Sequence, residues 1–243
     1  MTRRPPSAGP GAAPYLLLLV TIFFWGTAFR ATDVGAEHAS AVVFSALRAL
    51  PAAVALVLLA LALGSRLPRG RTLWFAVLSG PLMVTLAFEG IAEGVTLAGA
   101  ANAAVLINTT PFFTLLLGSL FLAERVSRAA AGGLAVGFVG VVLMVSTQLG
   151  GDVPAGDLLL GMGLALLAGA GFAVGTLLIK AAATRDGERF DAMGFTAVQY
   201  VVGSLLFVPL TLIYGDIGST DWGAGDLWTS VAWTALGSSA LAS

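Results

Sequence analysis

Eight long apolar segments, each close to the length that crosses a bilayer, constrain this chain more than any motif in it. They run approximately over residues 13–30, 41–63, 72–93, 98–123, 129–145, 158–179, 193–214 and 227–243. At 1.5 Å per residue, about 20 helical residues span a hydrocarbon core. Polar stretches rich in turn residues separate the segments, such as Gly64-Ser65-Arg66 and Gly150-Gly151-Asp152. A membrane β-barrel would show shorter segments of alternating polarity. A soluble helical core would need amphipathic helices to cover it. Only 10% of the residues are charged and 58% are hydrophobic, whereas a wetted surface takes about 25% charged residues. The pattern predicts an all-α polytopic membrane protein with eight transmembrane helices.

The connections orient these helices. Residues 1–13, with Arg3 and Arg4, read as a disordered tail. They are not a cleaved signal, because the apolar run continues past the length of a signal core and further spans follow. Arg66, Arg69 and Arg71 fill one connection, Arg125 and Arg128 another, and Lys180, Arg185 and Arg189 a third. The alternate connections hold no Lys or Arg, only acids: Asp33 and Glu37, then Asp152 and Asp157, then Asp216, Asp221 and Asp226. Cytoplasmic loops retain Lys and Arg, so the N-terminus is predicted to be cytoplasmic in a bacterial-type inner membrane. The sequence has no cysteine, hence no disulfide or thiolate metal site. No basic stripe suits nucleic acid. No cofactor and no metal is expected; the expected partners are a small-molecule substrate and the lipid bilayer.

An internal repeat accompanies this alternation. Gly26-Thr27 matches Gly175-Thr176, Ala46-Leu47-Arg48 matches Ala197-Val198-Gln199, and Leu73-Trp74 matches Leu227-Trp228. The offsets are 149, 151 and 154 residues. Five helices per unit is an odd number, so the second unit enters the membrane from the opposite side. Such inverted repeats underlie many alternating-access transporters. The expected organisation is a first five-helix repeat over 14–147 and a second over 157–243, truncated after its third helix. Eight helices would then be present of an expected ten.

Several stretches resemble EamA-type permeases of the drug/metabolite transporter superfamily. They are Phe24-Trp25-Gly26-Thr27-Ala28-Phe29, Phe44-Ser45-Ala46-Leu47-Arg48, Ala101-Asn102-Ala103-Ala104, Thr110-Pro111-Phe112-Phe113, Phe121-Leu122-Ala123-Glu124-Arg125, Gly133, and Gly140-Val141-Val142-Leu143. The resemblance implies ten helices in two inverted units, both termini cytoplasmic, and movement of metabolites such as amino acids, often outward. One position departs from it: where relatives often carry Lys toward the outer end of helix 1, this chain has Asp33, with Arg30 one turn earlier.

The polar residues within the spans are the candidate site. Arg48 lies about eight residues into the second segment, where an unpaired charge costs roughly 2.5–3.5 kcal/mol to insert. Two readings stand side by side. Arg48 faces a central cavity and binds a substrate carboxylate, or it pairs with a neighbouring acid and fixes helix packing. Glu89, at comparable depth, is the expected partner, and Gln199 is a neutral counterpart in the second unit. Glu89 and Glu93 are four residues apart on one helix face and are the proton-coupling candidates, although Glu93 also reads as an interfacial residue. Pro111 is a hinge, a substrate-facing kink or plain curvature. Asn102 and Asn108 line the cavity or bond between helices; Trp25 walls the site or packs against lipid. The full cavity-lining expectation is Trp25, Thr27, Arg48, Glu89, Asn102, Asn108, Pro111, Thr176 and Gln199.

The remaining features read as structural. Gly133-xxx-Gly137 and Gly171-xxx-Gly175 allow close packing within a monomer or in a homodimer. Glu124-Arg125 is an interfacial pair, and Arg30 is near enough to the interface to snorkel. An intramembrane hydrolase would need a base beside its nucleophile, and the single histidine, His38, adjoins no serine motif. An intramembrane transferase would need clustered acidic ligands, which the spread of Asp216, Asp221 and Asp226 does not offer. A metabolite exporter, possible proton coupling included, is the favoured reading; a channel-like facilitator or lipid-handling protein is the alternative.

Overall fold

The computed structural model describes residues 12–121, 126–148 and 153–241. Arg3 and Arg4, the Glu124-Arg125 pair, Asp152 and the chain end at Ser243 lie outside them. The described residues form α1 (Ala12–Ala36), α2 (Ala41–Ala62), α3 (Gly70–Gly80), α4 (Ala87–Ala98), α5 (Ala100–Ile107), α6 (Thr110–Phe121), α7 (Arg128–Gln148), α8 (Ala155–Asp186), α9 (Ala192–Tyr214) and α10 (Gly225–Ala232). A π segment, Pro81–Leu86, joins α3 to α4, and a second, Trp233–Leu241, continues α10. Among the described residues, seven helical stretches are long and apolar enough to cross a membrane, and α10 with its π segment is an eighth, shorter one. The chain is an all-α polytopic membrane protein.

Its packing is that of a protein dissolved in lipid. Small residues fill the interior, including Ala49, Ala52, Ala76, Ala103, Ala165 and Ala168, while Leu16, Leu58, Leu61, Leu120, Leu212 and Ile213 face outward. Leucine gains little by leaving hydrocarbon for more hydrocarbon; close backbone approach gains dispersion contacts instead. The crossing of α3 and α9 shows this, since a Cβ added at Gly80 would lie 2.6 Å from the Gln199 carbonyl oxygen.

Helices α2 and α9 form the central pair. Val42, Ala46, Ala49, Ala53 and Leu56 recur at helical spacing along α2 and share one core cluster with Tyr200 and Phe207 of α9. Ser204 Oγ donates to the Ala49 carbonyl at 3.0 Å. The start of α2 meets the end of α9, where the Asp216 amide donates to Ser40 Oγ at 3.3 Å. At the other end the connection after α2 meets the start of α9, where the Arg66 amide donates to Asp191, so the two helices run antiparallel. Beside Ser40, the Asp221 amide donates to the His38 carbonyl at 2.9 Å, and His38 Nδ1 stands 3.9 Å from Asp221 Oδ2. The connections carrying His38 and Asp221 therefore share one end of the molecule.

Four spans depart most from the sequence expectation. Helix α1 continues past Arg30 to Ala36, which takes Asp33 out of the connection and into the helix. An ion pair of Arg30 with Asp33, three residues apart on the helix surface, supports that extra turn. Helix α8 runs on to Asp186 through Lys180-Ala181-Ala182-Ala183, good helix formers that propagate the turn beyond the apolar stretch.

The third span is interrupted and then lengthened. Pro81 opens the π segment; lacking an N–H, it leaves a carbonyl free in the preceding turn, and the helix widens there. The helix then passes Glu93 and ends at Ala98, so Glu93 is not at its mouth. Gly99 alone reverses the chain into α5, at φ +85°, a conformation that suits glycine. The fourth span is two helices broken at Asn108-Thr109 rather than one kinked helix.

Candidate functional site

A groove of about 380 Å³ opens between α6 and α8, lined by Thr110, Pro111, Thr114, Leu115, Phe172 and Thr176. That size falls within the ~300–1,000 Å³ of small-molecule pockets. Thr110 and Pro111 are in place because the chain breaks before them: Thr109 N–H donates to the Leu106 carbonyl at 3.0 Å, a tight turn that aims α6 across α8. Thr114 follows one turn later. Phe172 and Thr176 are four apart and share a face of α8. Two expected site residues, Pro111 and Thr176, thus meet in one groove.

Trp25 connects this groove to a buried cation, Arg48. Its ring stands edge-on to Phe172, with centroids 5.7 Å apart, and its Nε1 donates to the Ser238 carbonyl at 3.1 Å. The Ser238 and Ser239 hydroxyls accept from Arg48, at 3.4 Å from NH2 and 3.1 Å from Nε respectively. The guanidinium also lies over the Phe88 ring, 3.9 Å from its centroid. Arg48 is 7% exposed, so it is a buried charge held by hydroxyls and an aromatic face. Among the described residues no carboxylate pairs with it.

The expected Arg48–Glu89 pair is therefore not formed. Glu89 is half-buried on α4 and Arg48 is on α2, and equal depth does not place two side chains on facing sides of their helices. Glu89 faces Ser45, yet Glu89 Oε2 and Ser45 Oγ each have no hydrogen-bond partner. An unpartnered carboxylate oxygen away from water is costly to keep. Glu93 is half-buried one turn further along α4.

The other candidates are dispersed. Thr27 Oγ1 donates to the Phe23 carbonyl and accepts from Trp233 Nε1 at 3.0 Å. Gln199 is buried, its Nε2 donating to Met83 Sδ at 3.0 Å. Asn102 on α5 donates to the Ala98 carbonyl at the end of α4, and Asn108 donates to the Ala104 carbonyl of α5, each at 2.7 Å. Neither asparagine lines the groove. Gly171 and Gly175 abut Leu86 and Met83 of the first π segment, and Gly137 seats Phe112, while Gly133 faces open space. Thr114, Leu115, Phe172, Ser238 and Ser239 escaped sequence reasoning, since single hydroxyls and a Phe in apolar helices carry no signal of their own.

The model of the EamA-like transporter family matches residues 12–146. The chain belongs to that family. Within the drug/metabolite transporter superfamily, this EamA-like chain is 31% identical over 107 residues to a chloroplastic WAT1-related protein of Arabidopsis thaliana. The match covers 43% of the chain and 26% of that relative, so the chain spans about a quarter of the curated relative's length. A crystal structure of a further protein superposes with a TM-score of 0.65 at 19% identity, covering 96% of this chain and 77% of that one. That likeness speaks to the fold.

Proposed function

We propose that this EamA-like chain carries a small metabolite, an amino acid or related zwitterion or anion, outward across a bacterial-type inner membrane by alternating access. The observation that carries the reading is Arg48: a guanidinium buried within a membrane span, without a carboxylate among the described residues, one serine away from a tryptophan that packs on Phe172 in the wall of an open groove. A charge so placed is costly unless an anion visits it. Trp25, Thr27, Arg48, Glu89, Asn102, Asn108, Pro111, Thr176 and Gln199 are the proposed substrate-facing set. Glu89, with its unpartnered oxygen, and Glu93 are the proposed proton carriers.

The alternating-access part rests on two inverted units, residues 14–147 and 157–243, with the N-terminus cytoplasmic. Three observations support it. The central helices α2 and α9 are antiparallel. Each unit has a π segment in its third helix, Pro81–Leu86 and Trp233–Leu241. The contacts are reciprocal: Arg48 of α2 reaches Ser238 and Ser239 on the second π segment, and Gln199 of α9 reaches Met83 on the first.

The test is metabolite flux in proteoliposomes with and without a pH gradient. Arg48→Ala is expected to abolish flux, and Glu89→Gln to remove its response to the gradient. Flux unchanged in both variants would overturn the site; flux through wild type indifferent to the gradient would favour an uncoupled facilitator.

A further inference from the structure

We propose that the groove between α6 and α8 takes the ammonium end of an amine that has an apolar body. The inference rests on reading this groove as part of the substrate path, and it comes from where the hydroxyl protons go. A threonine hydroxyl has one proton and two lone pairs. Thr110 Oγ1 donates to the Ile107 carbonyl at 2.6 Å, Thr114 Oγ1 to the Thr110 carbonyl at 2.9 Å, and Thr176 Oγ1 to the Phe172 carbonyl at 2.8 Å. All three protons are committed to backbone oxygens, that of Thr110 across the break to the last residue of α5 and the other two within their own helices, which leaves the groove with oxygen lone pairs.

Pro111 has no N–H, so the Ile107 carbonyl is capped by the Thr110 hydroxyl rather than by an amide. None of the six lining residues is charged. A carboxylate entering here would shed its water and face acceptors only. An ammonium would find the three threonine hydroxyl oxygens to donate to, and the Phe172 ring in the wall favours a cation over an anion. Leu115, Pro111 and Phe172 supply the apolar wall for the rest of the ligand. Arg48 does not line the groove, and Trp25 stands between the two.

The experiment compares two probes of matched shape, phenethylamine and 3-phenylpropionate, by calorimetry on the full chain in nanodiscs at pH 7, with empty nanodiscs subtracted. The amine is expected to bind about tenfold more tightly. Thr176→Val, which keeps the shape and removes the acceptor, is expected to weaken amine binding about fivefold and leave the acid unaffected. Thr114→Val serves as the second variant. Equal affinities, tighter binding of the acid, or amine affinity unchanged in both variants would overturn the inference. Flux measured on the same protein separates it from the transport reading. Amine binding without flux of any metabolite keeps the groove assignment and removes transport; metabolite flux without amine binding does the reverse.

Discussion

The Asp191 carboxylate accepts a hydrogen bond from the Arg66 backbone amide at 2.8 Å, although 125 residues separate them. Its other oxygen accepts from Gly194 N–H at 2.9 Å and caps α9. One side chain therefore closes the first turn of α9 and ties it to the connection that follows α2. Removing it in Asp191→Ala should cost about 1–2 kcal/mol, the usual worth of an N-cap, read as a lowered unfolding temperature in detergent.

The same tie makes a pH prediction. The Gly194 and Arg66 amides hold the Asp191 carboxyl below the usual aspartate range. A depressed carboxyl stabilises the fold above its unfolded pKa of about 3.9, and that stability is lost as pH falls through the lower folded value. The gap in unfolding temperature between wild type and Asp191→Asn should be constant near neutrality and shrink only in acid. A gap that changes between pH 6 and 8 would point to another group.

Arg48 donates to two hydroxyls, and each can be removed alone. Ser239→Ala should weaken substrate flux about tenfold, the worth of one hydrogen bond to a charged group. Ser239→Thr should restore part of it. Flux per folded protein is the measurement, with monodispersity on gel filtration as the control. Equal flux in wild type and Ser239→Ala would mean that this contact is not used.

Gly203 leaves no room for a side chain. A Cβ there would come 2.5 Å from both the Gly80 carbonyl oxygen and Val84 Cβ. Gly203→Val should therefore force α9 away from the first π segment, at a cost of about 1–3 kcal/mol. Thr85 Oγ1, which donates to the Gly203 carbonyl at 2.7 Å, would lose its partner as well. Intact thermal stability in that variant would contradict the crossing described above.

The cysteine-free sequence permits a direct check on motion. With α2 and α9 tied at both ends, a disulfide between Ser40→Cys and Asp216→Cys should form and leave flux within about twofold of the reduced protein, because the loops it joins are already in contact. A crosslink that stops flux would show that these ends separate during turnover.

Much of the fold was legible because hydropathy counts residues, and bilayer thickness converts that count into spans. The extension of α1 through Asp33 was not, since a charge near a span end reads equally as loop or as the last helical turn. Pro111 and Thr176 were identifiable one by one, from a helix breaker and a repeated Gly-Thr. Their meeting depends on how α6 leaves the break at Asn108-Thr109, which hydropathy does not report. Glu89 was matched to Arg48 on depth alone; the rotation of each helix about its axis decides contact, and the true partners, Ser238 and Ser239, lie 190 residues or more away.

The π segments have a further consequence. A π turn carries one more residue than an α turn, so tightening it would rotate everything beyond by about 100°. At Trp233–Leu241 that rotation would swing Ser238 and Ser239 off the guanidinium, and at Pro81–Leu86 it would swing Met83 off Gln199. Each wide turn would then act as an angular detent, holding one polar side chain of the α2–α9 pair engaged until a single residue of rewinding released it.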